Sequence, residues 1–315
     1  MQELISVGIP TYNRPLGLRR TLEAICEQTY RNLEILVSDN CSPDPEVARI
    51  IAEFLSRDSR IISFRQDSNI GAYQNCFFLL NHAKGKYFFF AADDDGWANN
   101  YVEVLAEQLN NHTEAVIAVS TVIVKTGTLV NMDNAPEEVT IDGFEQCMEK
   151  NADLRIYHHV LHPCYMQAHL IYGLARTKPL QLSFARVFEV YGSAVTSTDL
   201  QIVLDILCRG YVVVSRETYK YYLSHDSAGS NPKWTFPLIM EHLKARKKLI
   251  NLSEGLSDFG KIRAARIIDK AILAHRLWYF PRIAQAGIVR SMRTLGVHRY
   301  YLSAKAATRK LLGLG

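Results

Sequence analysis

The sequence predicts an α/β fold: a mostly parallel central sheet flanked by helices, with a basic helical extension after it. Three observations carry this. Short apolar runs alternate with helical segments through residues 1–120. The runs are continuously apolar rather than alternating, as in strands covered on both faces. Past residue 235 the pattern is helical and the charge turns strongly positive.

The elements follow in order. LISVGI (4–9) is a first strand, and residues 15–29 carry Leu18, Leu22 and Ile25 at helical spacing. LEILVS (33–38) is a second strand ending in the turn cluster DNCSPDP, and Val47, Ile50, Ile51 and Phe54 form the next helical face. RIISF (60–64), a helix over 71–84 and the strand KYFFFA (86–91) come next. Residues 98–111 read as a helix and AVIAVSTVIV (115–124) as one or two strands. This alternation predicts βαβ units. The stretch 125–195 is irregular. Order returns at TSTDLQIVLDILCRGYVVV, where Leu200, Val203, Leu204 and Leu207 share a helical face. Ser197 or Thr198 caps that helix, Gly210 ends it, and YVVV (211–214) is a buried strand. Asp205 lies off the apolar face and reads as a surface acid. From Phe236 onward the helical pattern breaks near Ser253–Ser257, Pro281 and Gly296. The chain thus divides into a body, 1–235, with halves 1–120 and 121–235, and an extension, 236–315.

Of 315 residues, 48% are hydrophobic and 22% charged, enough for a sizeable core. No apolar run is long enough to span a membrane. The segment MQELISVGIPTYNRP lacks the basic and apolar regions of a signal peptide, and the six cysteines form no C-x-x-C pair. Both features predict a cytoplasmic protein with reduced thiols. The net charge of +4 conceals an asymmetry: residues 241–315 hold 16 lysines and arginines against 4 acids, which leaves the body acidic.

In open α/β sheets, ligands bind outside the carboxyl ends of the strands. Four polar clusters fall there: Pro10 to Arg14, Asp39-Asn40, Asp67 to Gly71, and Asp93-Asp94-Asp95. Neither a dinucleotide fingerprint nor a P-loop follows the first strands, so phosphate would be handled by other means. Clustered carboxylates hold phosphate through a divalent metal such as Mg²⁺ or Mn²⁺, which prefers oxygen ligands. Taken alone, the triplet is equally an acidic turn closed by Asp95-Gly96; convergence with Asp39 favours the metal.

These residues resemble glycosyltransferase family 2, whose GT-A fold transfers sugars from nucleotide diphosphates. ISVGIPTYNRPLGLRRTLEAICEQTYRNLEILVSDNCS is similar to that family's first βαβ unit, and SNIGAYQNCFFLLNHAKGKYFFFAADDD to its third helix, fourth strand and D-x-D region. The likeness covers about 4–112 and resumes around 196–229. It implies that Pro10, Thr11, Tyr12 and Arg14 lie against the nucleotide and that Asp39 accepts a hydrogen bond from the base. Asn69 and Gly71 would shape the ribose loop. Asp93 and Asp94 would contact the donor, and Asp93 and Asp95, spaced as D-x-D, would hold the metal with His225. Ala92 stands where many members carry a first Asp, so the division of labour within the triplet stays open. Asp199, in STDLQIVLDILCRGY, matches the position of the family's catalytic base; as an Asp in a first helical turn it also suits the helix dipole.

The resemblance implies a metal-dependent, inverting transfer to a glycan or lipid-linked glycan, in bacterial surface polysaccharide or cell-envelope synthesis. Rival readings are a catalytically degenerate scaffold or glycan-binding protein, and a sugar nucleotidyltransferase. His158, His159, His162 and His169 lack metal-ligand spacing and read as structural or acceptor-lining. The basic segment 241–315, with Trp278, Tyr279 and Phe280, suits an anionic membrane surface on the inner face, or packing on the body or on another copy. No nucleic-acid motif accompanies it.

Overall fold

The computed structural model describes residues 2–126, 137–141, 144, 147–161, 165–192, 198–224 and 236–278. The first half alternates as expected: β1 (Ile5–Thr11), α1 (Pro15–Cys26), β2 (Leu33–Asp39), α2 (Pro45–Arg57), β3 (Ile61–Arg65), α3 (Ala72–His82), β4 (Tyr87–Phe90). A short β5 (Asp95–Trp97), α4 (Tyr101–Asn111), β6 (Ala115–Thr126) and β7 (Glu137–Ile141) follow. Then come α5 (Ala152–Leu161), a 3-10 helix (Tyr165–Tyr172), β8 (Leu174–Arg176), α6 (Thr177–Tyr191), α7 (Thr198–Leu207), β9 (Tyr211–Ser224), α8 (Phe236–Leu252) and α9 (Asp258–Trp278).

The sheet runs β3-β2-β1-β4-β8-β6-β9-β5, with β7 paired to β6. Its N-terminal half is wholly parallel, and β6 and β9 are also parallel. β8 joins the halves by antiparallel pairing to both β4 and β6. Because β1, β2, β3 and β4 point the same way, their carboxyl ends share one edge.

The aromatic run explains the layering. Successive strand residues face opposite sides. Phe88 and Phe90 enter one core with α3, α6 and α7, while Tyr87 and Phe89 enter the other with α1, α2 and α4. Each is at most 2% exposed, as a strand covered on both faces requires. The amphipathic faces expected of α1 and α2 are the buried ones: Leu18, Leu22 and Ile25 in α1, and Val47, Ile50, Ile51 and Phe54 in α2.

The second half departs from a one-sided reading. α7 is buried almost all round, including Gln201 and Asp205, because it is enclosed by α5, α6, α8 and the 3-10 helix. Asp205 is therefore no surface acid. It is 0% exposed and pairs with Arg209 one turn on at 2.9 Å and with Arg186 of α6 at 3.5 Å. α8 and α9 are separated at the expected break and place Leu249, Ile250, Ala264 and Ile268 in the same core as α6 and α7. Pro281, Gly296 and the basic residues beyond them lie outside the described residues.

Of the His-rich patch, His159 and His169 are buried; His242, in α8, is partly buried. Burial pulls His169 and His242 down to about 3, and His159 well below the usual histidine range. His162 lies outside the described residues. A histidine that is neutral when folded but titrates near 6.5 when unfolded gives the unfolded state more protons between those values. Stability is then whole above about pH 6.5 and falls as the pH drops towards 3. Asp93 and Asp199, whose carboxyls burial pushes up, oppose this in part. His169→Phe retains a ring against Tyr222, which packs edge-on at 4.6 Å. Between pH 7.5 and 5, the unchanged protein should lose about 2 kcal/mol more than this variant in urea unfolding. Parallel losses would assign the acid sensitivity elsewhere.

Candidate functional site

The parallel register sets Thr11 beside Asp39 and Asp39 beside Arg65 at the carboxyl edge. The chain must turn sharply there, and the loops after β1 and β2 each use a left-handed residue, Asn13 (φ 55°) and Cys41 (φ 64°). The loops brace one another. The Asn13 N–H donates to Ser42 Oγ at 2.8 Å, and the Asn40 N–H to the Thr11 carbonyl at 2.9 Å. The Asn40 side chain holds the third loop, donating to Asn69 Oδ1 at 3.0 Å and accepting from the Ile70 N–H at 2.9 Å. Asn69 Oδ1 also accepts the Gly71 N–H at 2.9 Å, and Gly71 sits at φ 89°, where a Cβ would be strained.

These loops frame a cavity of about 470 Å³, within the size range of small-molecule sites. Pro10, Thr11, Tyr12, Arg14, Asn69, Asp93 and Asp94 line its polar side. Tyr73, Cys76, Phe90, Ile171, Tyr172 and Phe184 close the apolar end. Gly71 and Asp39 are not in the lining: Gly71 lies between Asn69 and Ala72, which are, and Asp39 is 2% exposed, accepting the Ser42 N–H at 2.8 Å and paired with Arg65.

The Asp triplet is split. Arg14 Nη1 donates to Asp93 Oδ1 at 3.0 Å and to Asp94 Oδ2 at 2.7 Å, and Thr11 Oγ1 donates to Asp93 Oδ2 at 2.9 Å. Burial, with the Asp94 charge adding to it, pushes the Asp93 carboxyl up to about 6 against the pull of Arg14 and Thr11. Asp95 leaves this group. It starts β5, whose pairing with β9 brings Lys220 to Asp95 Oδ2 at 2.6 Å, with both side chains at most 3% exposed. It borders a second, polar cavity with Trp97 and Tyr221. The D-x-D spacing of Asp93 and Asp95 therefore does not bring their carboxylates to one place, whereas the neighbours Asp93 and Asp94 share a wall.

Asp199 sits in the first turn of α7, its Oδ1 accepting the Leu200 N–H at 2.8 Å, and burial raises its pKa. Tyr172 lines the cavity, and its phenol is raised well above the usual range by burial, with Tyr73, Cys76, Asp199 and Asp95 adding to the shift; Asp199 itself is not in the cavity lining. His225 lies outside the described residues. Sequence reasoning missed Lys220, Arg65, Tyr73 and Tyr172. Only Lys220 had a signal, as a lysine inside the otherwise apolar strand run TYKYYL.

A mostly parallel sheet whose carboxyl edge bears paired carboxylates, an arginine and a cavity defines an α/β protein with a ligand site at the strand ends. Its closer kinship follows from comparison: the chain belongs to glycosyl transferase family 2, whose model matches residues 6–167. Over 117 residues it is 34% identical to glycosyltransferase GlyG of Streptococcus pneumoniae, which is 37% of this chain and 38% of GlyG. Over 102 residues it is 36% identical to the Escherichia coli UDP-Glc:alpha-D-GlcNAc-diphosphoundecaprenol beta-1,3-glucosyltransferase WfaP, which is 32% of this chain and 39% of WfaP. The matched part thus spans under two fifths of either relative. In structure, S. aureus TarS 1–349 in complex with UDP superposes with a TM-score of 0.61 at 15% identity, over 90% of this chain and 78% of that one. At that identity the likeness is one of fold.

The Asp95–Lys220 pair is buried, so removing one partner strands a charge. Lys220→Met should cost about 3–5 kcal/mol in chemical unfolding, and adding Asp95→Leu should restore most of that loss. If the double variant is no more stable than the single one, Asp95 has a role beyond balancing Lys220.

Proposed function

We propose that this chain transfers a sugar, with inversion, from a nucleoside-diphosphate donor to a hydroxyl of a lipid-linked glycan during envelope polysaccharide synthesis. The observation that carries the reading is the cavity at the carboxyl edge, where Asp93, Asp94 and Arg14 meet the loops after β1 and β2 in a family 2 chain. The acceptor class is supported by WfaP, whose name specifies a diphosphoundecaprenol-linked sugar.

Each residue has a task in this reading. Pro10, Thr11 and Tyr12 back the nucleotide, and the Asn40–Asn69 bridge with Gly71 keeps the ribose loop in place. Asp39, anchored by Ser42, sits at the base end; Arg65, half exposed, holds it and donates to the Ser42 carbonyl at 3.0 Å. Arg14 sets the orientation of Asp93 and Asp94. Carboxylate oxygens at a cavity wall suit a hard divalent cation, which takes one or two carboxylates and completes its shell with phosphate oxygens and water. Bound there, Mg²⁺ or Mn²⁺ would offset charge on the departing diphosphate. Asp199 takes the proton of the acceptor hydroxyl as that oxygen attacks the anomeric carbon, and burial of its carboxyl makes it a stronger base than an exposed aspartate.

Asp199→Asn should abolish transfer and leave UDP affinity within about twofold, since the base acts only as the bond forms; unchanged turnover would remove Asp199 from the mechanism. Donor choice is read by diphosphate release across UDP-, GDP- and dTDP-sugars. In calorimetry, UDP affinity should rise at least tenfold, about 1.4 kcal/mol, when Mn²⁺ is added, and Asp93→Asn should erase that gain. Equal affinity with and without Mn²⁺ would sink the metal.

The extension accounts for access to a lipid-linked acceptor as a peripheral protein at the inner membrane face. Among the described residues no helix is long and apolar enough to cross a membrane. α9 instead exposes Phe259 (71%) and Ile262 (52%) next to Lys261 and Arg263, the pairing of apolar and basic groups that suits an anionic lipid surface. Flotation with vesicles containing phosphatidylglycerol should fall in Phe259→Ser/Ile262→Ser, with folding intact by circular dichroism. Equal flotation of both proteins would place the contact elsewhere.

A further inference from the structure

The second cavity, bordered by Asp95, has no task in the transfer as proposed. Its volume is about 350 Å³, within the size range of small-molecule sites. α1 forms one wall through Arg20, Glu23 and Glu27, which share a helical stripe at i, i+3 and i+7. The stripe lies beside the apolar face that α1 buries through Leu18, Leu22 and Ile25, and runs about 10 Å along the helix. β5, β6 and β9 supply the rest through Trp97, Lys125 and Tyr221. Glu23 and Glu27 are exposed and mark the mouth, whereas Asp95, Trp97 and Lys125 are buried and form the floor.

Two features of this cavity ask for a ligand. The first is an unmet donor. Trp97 is 6% exposed, and its Nε1 has no hydrogen-bond partner among the described residues. A buried indole N–H normally finds an acceptor, and one that does not needs an explanation. The ring is fixed by edge-on packing against Phe89, with 6.2 Å between centroids. The second feature is the charge. Asp95 is matched by Lys220 at 2.6 Å. Arg20 and Lys125 then stand against Glu23 and Glu27, which leaves the lining without net charge. Lys125 Nζ lies 4.0 Å from the centre of the Tyr221 ring, which holds it at the wall. This balance calls for neither a phosphate nor an organic cation, and among the described residues no histidine, cysteine and carboxylate cluster is arranged for a metal. What fits is a neutral ligand whose groups both donate and accept. Carboxylates accept from hydroxyls, while ammonium, guanidinium and indole N–H groups donate to them. A saccharide has that chemistry.

We propose that the second cavity is a saccharide-binding site, and that it holds a unit of the acceptor glycan beyond the sugar that receives the transfer. It is tied to the donor cavity by contiguous groups. Asp95 lines the second cavity, and its chain neighbours Asp93 and Asp94 line the first. Lys220 links the two linings, 2.6 Å from Asp95 and 4.5 Å from the centre of the Tyr172 ring, which lines the donor cavity. The α1 stripe points the same way. From Glu27 to Arg20 it runs towards the start of α1, where Arg14 holds Asp93 and Asp94. A glycan lying along the stripe is thereby directed at the carboxylates of the donor site. The assignment to the acceptor rests on the transferase reading above; the affinity for saccharide does not.

The test uses the full chain and two variants, each checked for folding by circular dichroism. Trp97→Phe keeps an aromatic ring and drops the N–H. Glu23→Ala/Glu27→Ala changes only the exposed mouth, so it decides the matter even if the floor variant fails to fold. Calorimetric titration with triacetylchitotriose and with maltotriose should show binding of at least one to the unchanged protein. Both variants should weaken that binding about fivefold, as loss of one or two hydrogen bonds would. No binding of either saccharide, or equal affinity in all the proteins, overturns the site. In transfer assays, E23A/E27A should raise KM about fivefold for an alkyl disaccharide acceptor, and leave kcat and the KM for an alkyl monosaccharide within about twofold. Equal KM changes for the two acceptors, with the saccharide titration as expected, would overturn the acceptor assignment and leave a glycan site apart from transfer. Absence of any transfer by the unchanged protein would instead count against the transferase reading, and the titrations would still decide the site.

Discussion

Three adjacent carboxylates at the end of a buried strand repel one another, and the separation of Asp93 and Asp94 from Asp95 is the constraint around which the rest is arranged. Arg14 balances the first two from the β1 loop, and Lys220 balances the third from β9. These two cations come from opposite flanks of β4. One requires β1 beside β4, as the parallel register provides. The other requires β5 to turn away and pair with β9 at the far edge of the sheet. Strand order and site chemistry are therefore one problem: a sheet ordered otherwise would leave at least one buried aspartate without its counter-charge, at a cost of several kcal/mol.

The division also assigns work. Arg14 is partly exposed and reaches its two partners across the cavity wall, so it can give way to a ligand. Lys220 is enclosed, and its ammonium also lies over the Tyr172 ring at 4.5 Å. Asp95 is in this way tied, through Lys220, to a residue of the cavity wall. The partly exposed charge faces the cavity and the enclosed charge supports its wall.

What the sequence made legible follows from locality. β1 to β4 and their helices could be read because each buries an apolar run or stripe whose period shows within a dozen residues. The convergence of four loops on one edge followed from parallel pairing alone. The partners of the aspartates could not be read: Lys220 is 125 residues from Asp95, and Arg14 is 79 from Asp93. Asp205 was misjudged for the same reason. A polar residue off the apolar face of one helix is exposed only if nothing covers that face, and the covering elements, α6 and α8, are set by tertiary packing. Irregular sequence between 125 and 195 hid the element that closes the cavity, because a 3-10 helix has no apolar stripe of the usual period.

The treatment of buried charge is consistent enough to make its exception informative. A fold that recruits Lys220 over 125 residues to balance one aspartate, and three carbonyls to satisfy Arg155, does not tolerate stray charge out of indifference. Replacing an unpaired buried arginine such as Arg246, whose Nη2 has no partner among the described residues, with an apolar side chain of similar volume would stabilise the core. The same logic applies at the cavity wall, where Asp93 is held near a pKa of 6 by burial and its neighbour. Both places are incompletely balanced, one in excess of negative charge and one in excess of positive charge.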